Sequence, residues 1–247
     1  MSHYGTIGDD YYVNMNLATE MELPQNRETL LHYFEQMRRR YPELQHFYSR
    51  EKDEFVLEGD KDAGHYRWTS IEPRRINSGA VNPESFDDAV AQHRLVTEIV
   101  PYDLSVTSLD CESLSVSIGF DFAYRGNHNA ILAKAIGVAP GLEAFAEHSR
   151  GTLLANEPTI QISLDEECRT QCRISFETRT SAFQVRTGDY PEEQLSVYLT
   201  VRRYDSLPLE TTYSDEVERL SGLCKELTDE YLVPSVLQPL QEAIAIG

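Results

Sequence analysis

Lysine is scarce in this chain: only four of the 22 basic residues, Lys52, Lys61, Lys134 and Lys225, are lysine, and the others are arginine. Against them stand 41 Asp and Glu, leaving a formal charge of -19 over 247 residues, with no acidic tail to account for it. Phosphate contact needs clustered cations, so this balance argues against a protein that coats DNA or RNA. A long hydrophobic run is also missing. The most apolar stretch, residues 130–146, is broken by Lys134, Pro140 and Glu143 and falls short of the ~20 residues that span a bilayer. The opening residues, Met1-Ser2-His3-Tyr4-Gly5, lack the positive start and apolar core of a secretory signal. A soluble, cytoplasmic protein is expected, with neither membrane nor nucleic acid as partner. Four cysteines, Cys111, Cys168, Cys172 and Cys224, form no CxxC pair, and a chain of this size needs no staples, so free thiols are expected.

Signatures of chemistry are absent too. There is no GxSxG elbow, HExxH, GxxxxGK[ST] loop or GxGxxG, which leaves only a site that converges in space. No cofactor and no metal are expected. Cys168 and Cys172 flank the turn expected between two strands but are two ligands short, and Asp165, Glu166 and Glu167 would raise a thiol pKa rather than activate it. Cys172 reads as a small core residue beside Ile174 and Phe176. Residues Asp60-Lys61-Asp62-Ala63-Gly64 resemble the start of a calcium loop, yet Gly64 stands where an oxygen ligand belongs and Ile71 where a bidentate Glu is required. An acidic turn with Gly is the better reading. Seven histidines, His148 and His3 among them, show no spacing that puts two on one helix face.

What is present is an internal echo. Val13, Met15 and Leu17 alternate with Asn14 and Asn16, and 101 residues later Leu114, Val116 and Ile118 alternate with Ser115 and Ser117. Both read as half-buried strands. At the same offset Asn26 falls on Asn127, Leu30 on Ile131 and Leu31 on Leu132, so each strand is followed by a helix that Asn caps. The first helix carries the stripe Leu30, Leu31, Phe34, Met37 and Tyr41, ends in Arg38, Arg39 and Arg40, and stops at Pro42. A second echo has the strand of Tyr66, Trp68 and Ser70 running into Arg74-Arg75, and the strand Leu195 to Val201 running into Arg202-Arg203. A Ser then opens a helix in each half: Ser85, with a helix to Pro101, and Ser214, with Val217, Leu220, Cys224 and Leu227 on one face. Further strands are expected at residues 47–51 and 54–58, and around Ile160 to Leu164, Cys172 to Phe176, and Phe183 with Val185. Residues 137–158 read as an inserted helix and loop, and a break is expected near Pro234 before a final short helix.

The class is therefore α+β: two modules, residues 1–104 and 105–247, each β-α-β(3-4)-α, with curved antiparallel sheets and helices on one face. In element order this resembles the TATA-box-binding-protein-like fold, and the second half alone resembles a helix-grip fold. Such resemblance concerns fold and carries no activity with it.

Six residues are singled out for binding. Arg74, Arg75, Arg202 and Arg203 would sit at duplicate places on the sheets, one of each pair facing the helices and one the open side, where a guanidinium can hold a carboxylate or phosphate. Arg125 and His128 flank the Asn127 cap, where backbone N–H groups could meet an anion. Three functions follow as expectations. The first is a non-enzymatic binding or assembly module for a protein partner, with a homodimer as one form. The second is a carrier of a small hydrophobic ligand or lipid, in a cavity lined by Phe176, Phe183 and Leu199. The third is an enzyme with a spatially assembled carboxylate and Arg site.

Overall fold

The computed structural model describes residues 4–50, 53–147 and 151–246. Lys52, His3, His148 and the end of the strand expected to reach residue 51 lie outside the described residues. The described chain is α+β, with a nine-stranded antiparallel sheet and helices, of which α2 and α6 pack on its central strands. Strand β1 (Asp10–Thr19) leads to α1 (Arg27–Arg40), then β2 (His46–Arg50), β3 (Glu54–Glu58), β4 (Tyr66–Glu72), β5 (Arg75–Val81) and α2 (Phe86–Asp103). The second half runs β6 (Cys111–Tyr124), α3 (His128–Ile136), α4 (Glu143–Ala146), β7 (Ile160–Ser163), β8 (Thr170–Glu177), α5 (Ala182–Thr187), β9 (Glu193–Tyr204), α6 (Tyr213–Leu227) and α7 (Gln238–Ile246). Across the sheet the order is β2-β3-β4-β5-β1-β6-β9-β8-β7, so both halves share one sheet through the β1–β6 pairing. Met15 lies opposite Val116 in that pairing.

Alternation along the strands sets the two faces. On β1, Tyr11, Val13, Met15 and Leu17 are buried, as are Leu114, Val116, Ile118, Phe120 and Phe122 on β6 and Leu195, Val197, Leu199 and Val201 on β9. Helices α2 and α6 lie over these residues and pack on each other, joined at their surface by Arg94–Glu218 at 3.1 Å and Lys225–Asp87 at 3.4 Å. Helix α1 begins where the Asn26 side chain accepts from Thr29 N, and α3 where Asn127 accepts from Asn129 N and Ala130 N, each satisfying orphan donors of a first turn. The apolar stripe of α1 faces inward, with Tyr33 added to it and its hydroxyl 2.7 Å from Thr69 Oγ1. Two polar residues of α2 meet one hydroxyl inside this layer: Gln92 donates to Ser78 Oγ at 2.9 Å, and His93 Nδ1 lies 2.9 Å from the same atom.

Five local expectations need correction. Residues 75–81 form β5, which was not foreseen and which pairs with β1 on one side and β4 on the other. Phe183 and Val185 belong to helix α5 instead of a strand, because Ser181 and Gln184 close a capping box ahead of it. The last long helix is capped by Thr212, one residue before Tyr213, in a box with Asp215, and Ser214 lies inside it. Helix α2 runs two residues past Pro101. Instead of breaking at Pro234, the chain passes from α6 to α7 through a π-helical stretch, Thr228–Leu237. Proline lacks an N–H and its ring clashes with the carbonyl four residues back in an α-helix, and the wider coil relieves that clash. Among the described residues no helix is long and apolar enough to cross a membrane.

Candidate functional site

The side of the sheet away from the helices carries a different chemistry. Tyr12, Asn14 and Asn16 of β1 point there, opposite Gly119, Ser117 and Ser115 of β6 and Val81, Gly79 and Asn77 of β5. Trp68 of β4 stands beside Gly79, and a Cβ on Gly79 would collide with the indole and with Asn14 Oδ1. A Cβ on Gly119 would likewise collide with the Tyr12 ring. The two glycines thus let aromatic rings lie flat on the strands. Tyr12 and Tyr198 of β9 meet across Gly119 with ring centroids 6.0 Å apart. Amides link the neighbouring strands: Asn16 Nδ2 donates to Asn77 Oδ1 at 2.6 Å, and Asn77 Nδ2 donates to Ser70 Oγ and Glu72 Oε1 at 3.1 and 2.9 Å.

Two cavities open on this face. The larger, about 410 Å³, is lined by Asp10, Tyr12, Asn14, Tyr66, Trp68 and Asp121, among others. Asp10 and Asp121 are direct cross-strand neighbours, a pairing of like charges that disfavours the sheet by itself. Burial holds the Asp121 carboxyl above the usual carboxylate range, against the pull of hydrogen bonds from Ser196 and Tyr12. The Tyr12 phenol is pushed up as well, first by burial and then by its hydrogen bond with Tyr198. Asn14 Oδ1 is buried and accepts no hydrogen bond among the described residues. The second cavity, about 210 Å³, lies between β7, β8 and β9 and includes Arg173 and Arg202. A third and largest hollow, about 940 Å³, lies at the β3–β4 turn, beside Arg67, whose guanidinium bonds Asp88 and Gln92 and lies 4.7 Å above the Tyr41 ring.

The six residues singled out from sequence are not gathered in one place. Arg74 is exposed in the β4–β5 turn, and Arg75 opens β5 beside Ala18, with Nη1 4.0 Å from Glu72. Arg202 faces the open side, opposite Ser115, with its guanidinium carbon 5.8 Å from the Tyr204 ring centroid. Arg203 faces the helices, where Nη2 donates to Ser206 O at 3.2 Å and Nε lies 3.8 Å from buried Glu216. Ala18 is three positions from Met15, whereas Ser115 is one from Val116, so the arginine pairs do not occupy symmetric places. Arg125 Nε donates to Tyr190 O at 3.2 Å. His128 is buried: its Nδ1 accepts from Arg179 N at 3.3 Å and its Nε2 lies 3.2 Å from Tyr124 O, which fixes the tautomer with the proton on Nε2. Burial lowers its pKa, and its backbone N–H already donates to Thr180 Oγ1 at 2.9 Å.

Other groups divide between core and surface. The Cys172 thiol sits inside the core and is pushed up to about 11 by burial, while Cys168 is exposed in the β7–β8 turn. All four cysteines are free, and among the described residues no three His, Cys, Asp or Glu gather as metal ligands would. Residues 60–64 form a short turn closed by Gly64 at a φ of 74°, where glycine meets no Cβ penalty. Sequence reasoning missed Asp10, Asp121, Tyr12 and Arg173. One signal pointed to the face that holds the first three: the polar positions of β1 and β6 include Asn14, Asn16, Ser115 and Ser117, not the Glu and Arg that dominate this chain elsewhere. No protein-family model, curated protein or solved structure matches the chain.

Proposed function

We propose that this chain is an internally duplicated binding or assembly protein that docks a protein partner on the helix-free face of its sheet. The observation that carries the reading is that the side of the sheet opposite α2 and α6 is lined by Tyr12, Tyr66, Trp68 and Tyr198 among Asn, Ser and Arg, with two cavities opening between them. Tyr, Trp and Arg are the side chains enriched where proteins meet, and short polar groups supply adaptable hydrogen bonds. Nine strands at a spacing of about 4.8 Å make a surface about 38 Å wide, enough for the ~800 Å² that each partner contributes to a standard interface.

Duplication has its own support. Met15 and Val116, related by the 101-residue offset, stand opposite each other, so a twofold axis between them would exchange β1 with β6 and α1 with α3, each capped by Asn. The order of strands outward from β1 and β6 then mirrors, with four partners on one side and three on the other. A TATA-box-binding-protein-like arrangement of the two halves follows from this reading. The carrier reading has less support: Leu199 is packed in the core while Phe183 is 63% exposed, so these residues do not share one enclosed lining.

The test is affinity capture from source cells on the full chain, with Trp68→Glu/Tyr198→Glu as the disabled face and Leu209→Glu, at an exposed residue elsewhere, as control. A protein retained by the wild type and the control but lost from the double variant, with circular dichroism unchanged, supports the reading. Equal retention by all three rejects it. A second reading, an enzyme, is favoured by one observation alone, the Asp10–Asp121 pair, in which burial raises the Asp121 carboxyl above the usual carboxylate range. A hydrolase or isomerase screen in which Asp121→Asn abolishes turnover would move the conclusion there.

A further inference from the structure

The second-half end of the open face holds a cationic cavity that has no internal counter-charge. Arg202 of β9 and Arg173 of β8 both line it, one strand and one diagonal step apart, since Gln171 pairs with Arg202 and Arg173 with Thr200. Neither guanidinium has an ion pair or hydrogen bond among the described residues, and the Arg202 Nε is buried without an acceptor. None of the eight lining residues is acidic, in a chain where 41 of 247 are. Of the other lining groups, Gln161 Nε2 donates to Gln171 Oε1, Gln171 Nε2 to Cys168 O and the Tyr198 hydroxyl to Glu177 Oε2, so the two guanidiniums are the main donors left to an incoming group.

Like charges set side by side repel, and a buried guanidinium donor left unmade costs free energy, so an acidic protein gains nothing internally from this arrangement. Other arginines of the chain answer the same problem with a carboxylate. Arg67 binds Asp88 and Glu43, and Arg219 grips Glu216 through two nitrogens at 2.6 and 2.9 Å. We propose that the Arg173–Arg202 cavity is an oxyanion subsite, which takes a carboxylate or phosphate group through the forked donors of both guanidiniums. It goes beyond the docking surface described above, because the oxyanion can belong to a free small anion or to a side chain of the docked protein.

Titration of the ¹⁵N-labelled full chain at low ionic strength tests this, following the Arg Nε–H resonances. The probes are inorganic phosphate, glutarate, and a short peptide with one central Glu. Saturable shifts of Arg173 and Arg202 with any probe are expected, weakened about tenfold or more by Arg202→Gln or Arg173→Gln. Arg202→Lys, which keeps charge but loses the fork, should weaken binding by less than Arg202→Gln. Arg75→Gln should leave it unchanged, because Arg75 lies outside the cavity. Tighter binding of the peptide than of glutarate assigns the oxyanion to a protein partner, and the reverse assigns it to a small molecule. No saturable shift with any probe, or equal shifts in the glutamine variants, overturns the proposal. Should affinity capture still depend on Trp68 and Tyr198 in that event, the docking reading survives without the subsite.

Discussion

The two faces of the sheet are built by the same strands, residue by residue in alternation, yet they obey different rules. On the helix side of β1, β6 and β9 nearly every position is a fully buried aliphatic or aromatic group, and beside them Ser78 of β5 and Thr69 of β4 are hydrogen-bonded to His93 and Gln92 of α2 and to Tyr33 of α1. On the other side two glycines let aromatic rings lie flat, two carboxylates stand opposite each other, and Arg202 keeps a buried Nε without an acceptor. The first face is optimised for its own stability. The second keeps unfavourable pairings that folding does not explain, which is the mark of a surface held for something outside the chain.

Phe120 is fully buried against Tyr4 and Tyr11, so Phe120→Ala should cost about 3–5 kcal/mol in urea unfolding. His93 is buried neutral, its pKa lowered to about 3 from 6.5 chiefly by desolvation. Between those values the unfolded chain binds the extra proton, so stability is lost as pH falls below 6.5, by up to about 1.4 kcal/mol per pH unit. His93→Gln should flatten that part of the pH–stability profile. Gly119→Val would drive the Tyr12 ring off the strand, and about 1–3 kcal/mol of destabilisation should appear together with a change in the near-UV spectrum of tyrosine. Loss of the Tyr33–Thr69 contact in Tyr33→Phe should cost about 1 kcal/mol by thermal or urea melts. Last, Arg202→Gln should change stability by less than about 0.5 kcal/mol, because it has no internal hydrogen bond or ion pair to lose and only a 5.8 Å approach to the Tyr204 ring. A large loss there would mean that Arg202 serves the fold after all.

The helix side was legible in the sequence because burial leaves a periodic trace. Val13, Met15 and Leu17 announce β1, the Asn26 and Asn127 caps announce α1 and α3, and Leu195 to Val201 announce β9. Strand β5 escaped because its helix-facing residues are Ile76, Ser78 and Ala80: two small side chains beneath α2 leave no apolar alternation to read. Helix α5 escaped because Phe183 and Val185 mimic a strand two residues apart, while the deciding signal is the capping box of Ser181 and Gln184. Of the candidate site, Arg202 was legible from strand alternation, but its partner Arg173 lies on another strand and becomes its neighbour only through the β8–β9 register. Asp10 and Asp121 are separated by most of the first half and meet for the same reason.

Pro234 decides which way the end of the chain looks. One residue of helical phase turns every later side chain by about 100°, so the widened coil around this imino acid sets the azimuth of α7. Leu240 and Ala243 face the core only in the phase that the wide turns deliver. Restoring ordinary winding ahead of them would rotate that apolar seam outward and strip the cover from α3, which α7 packs against.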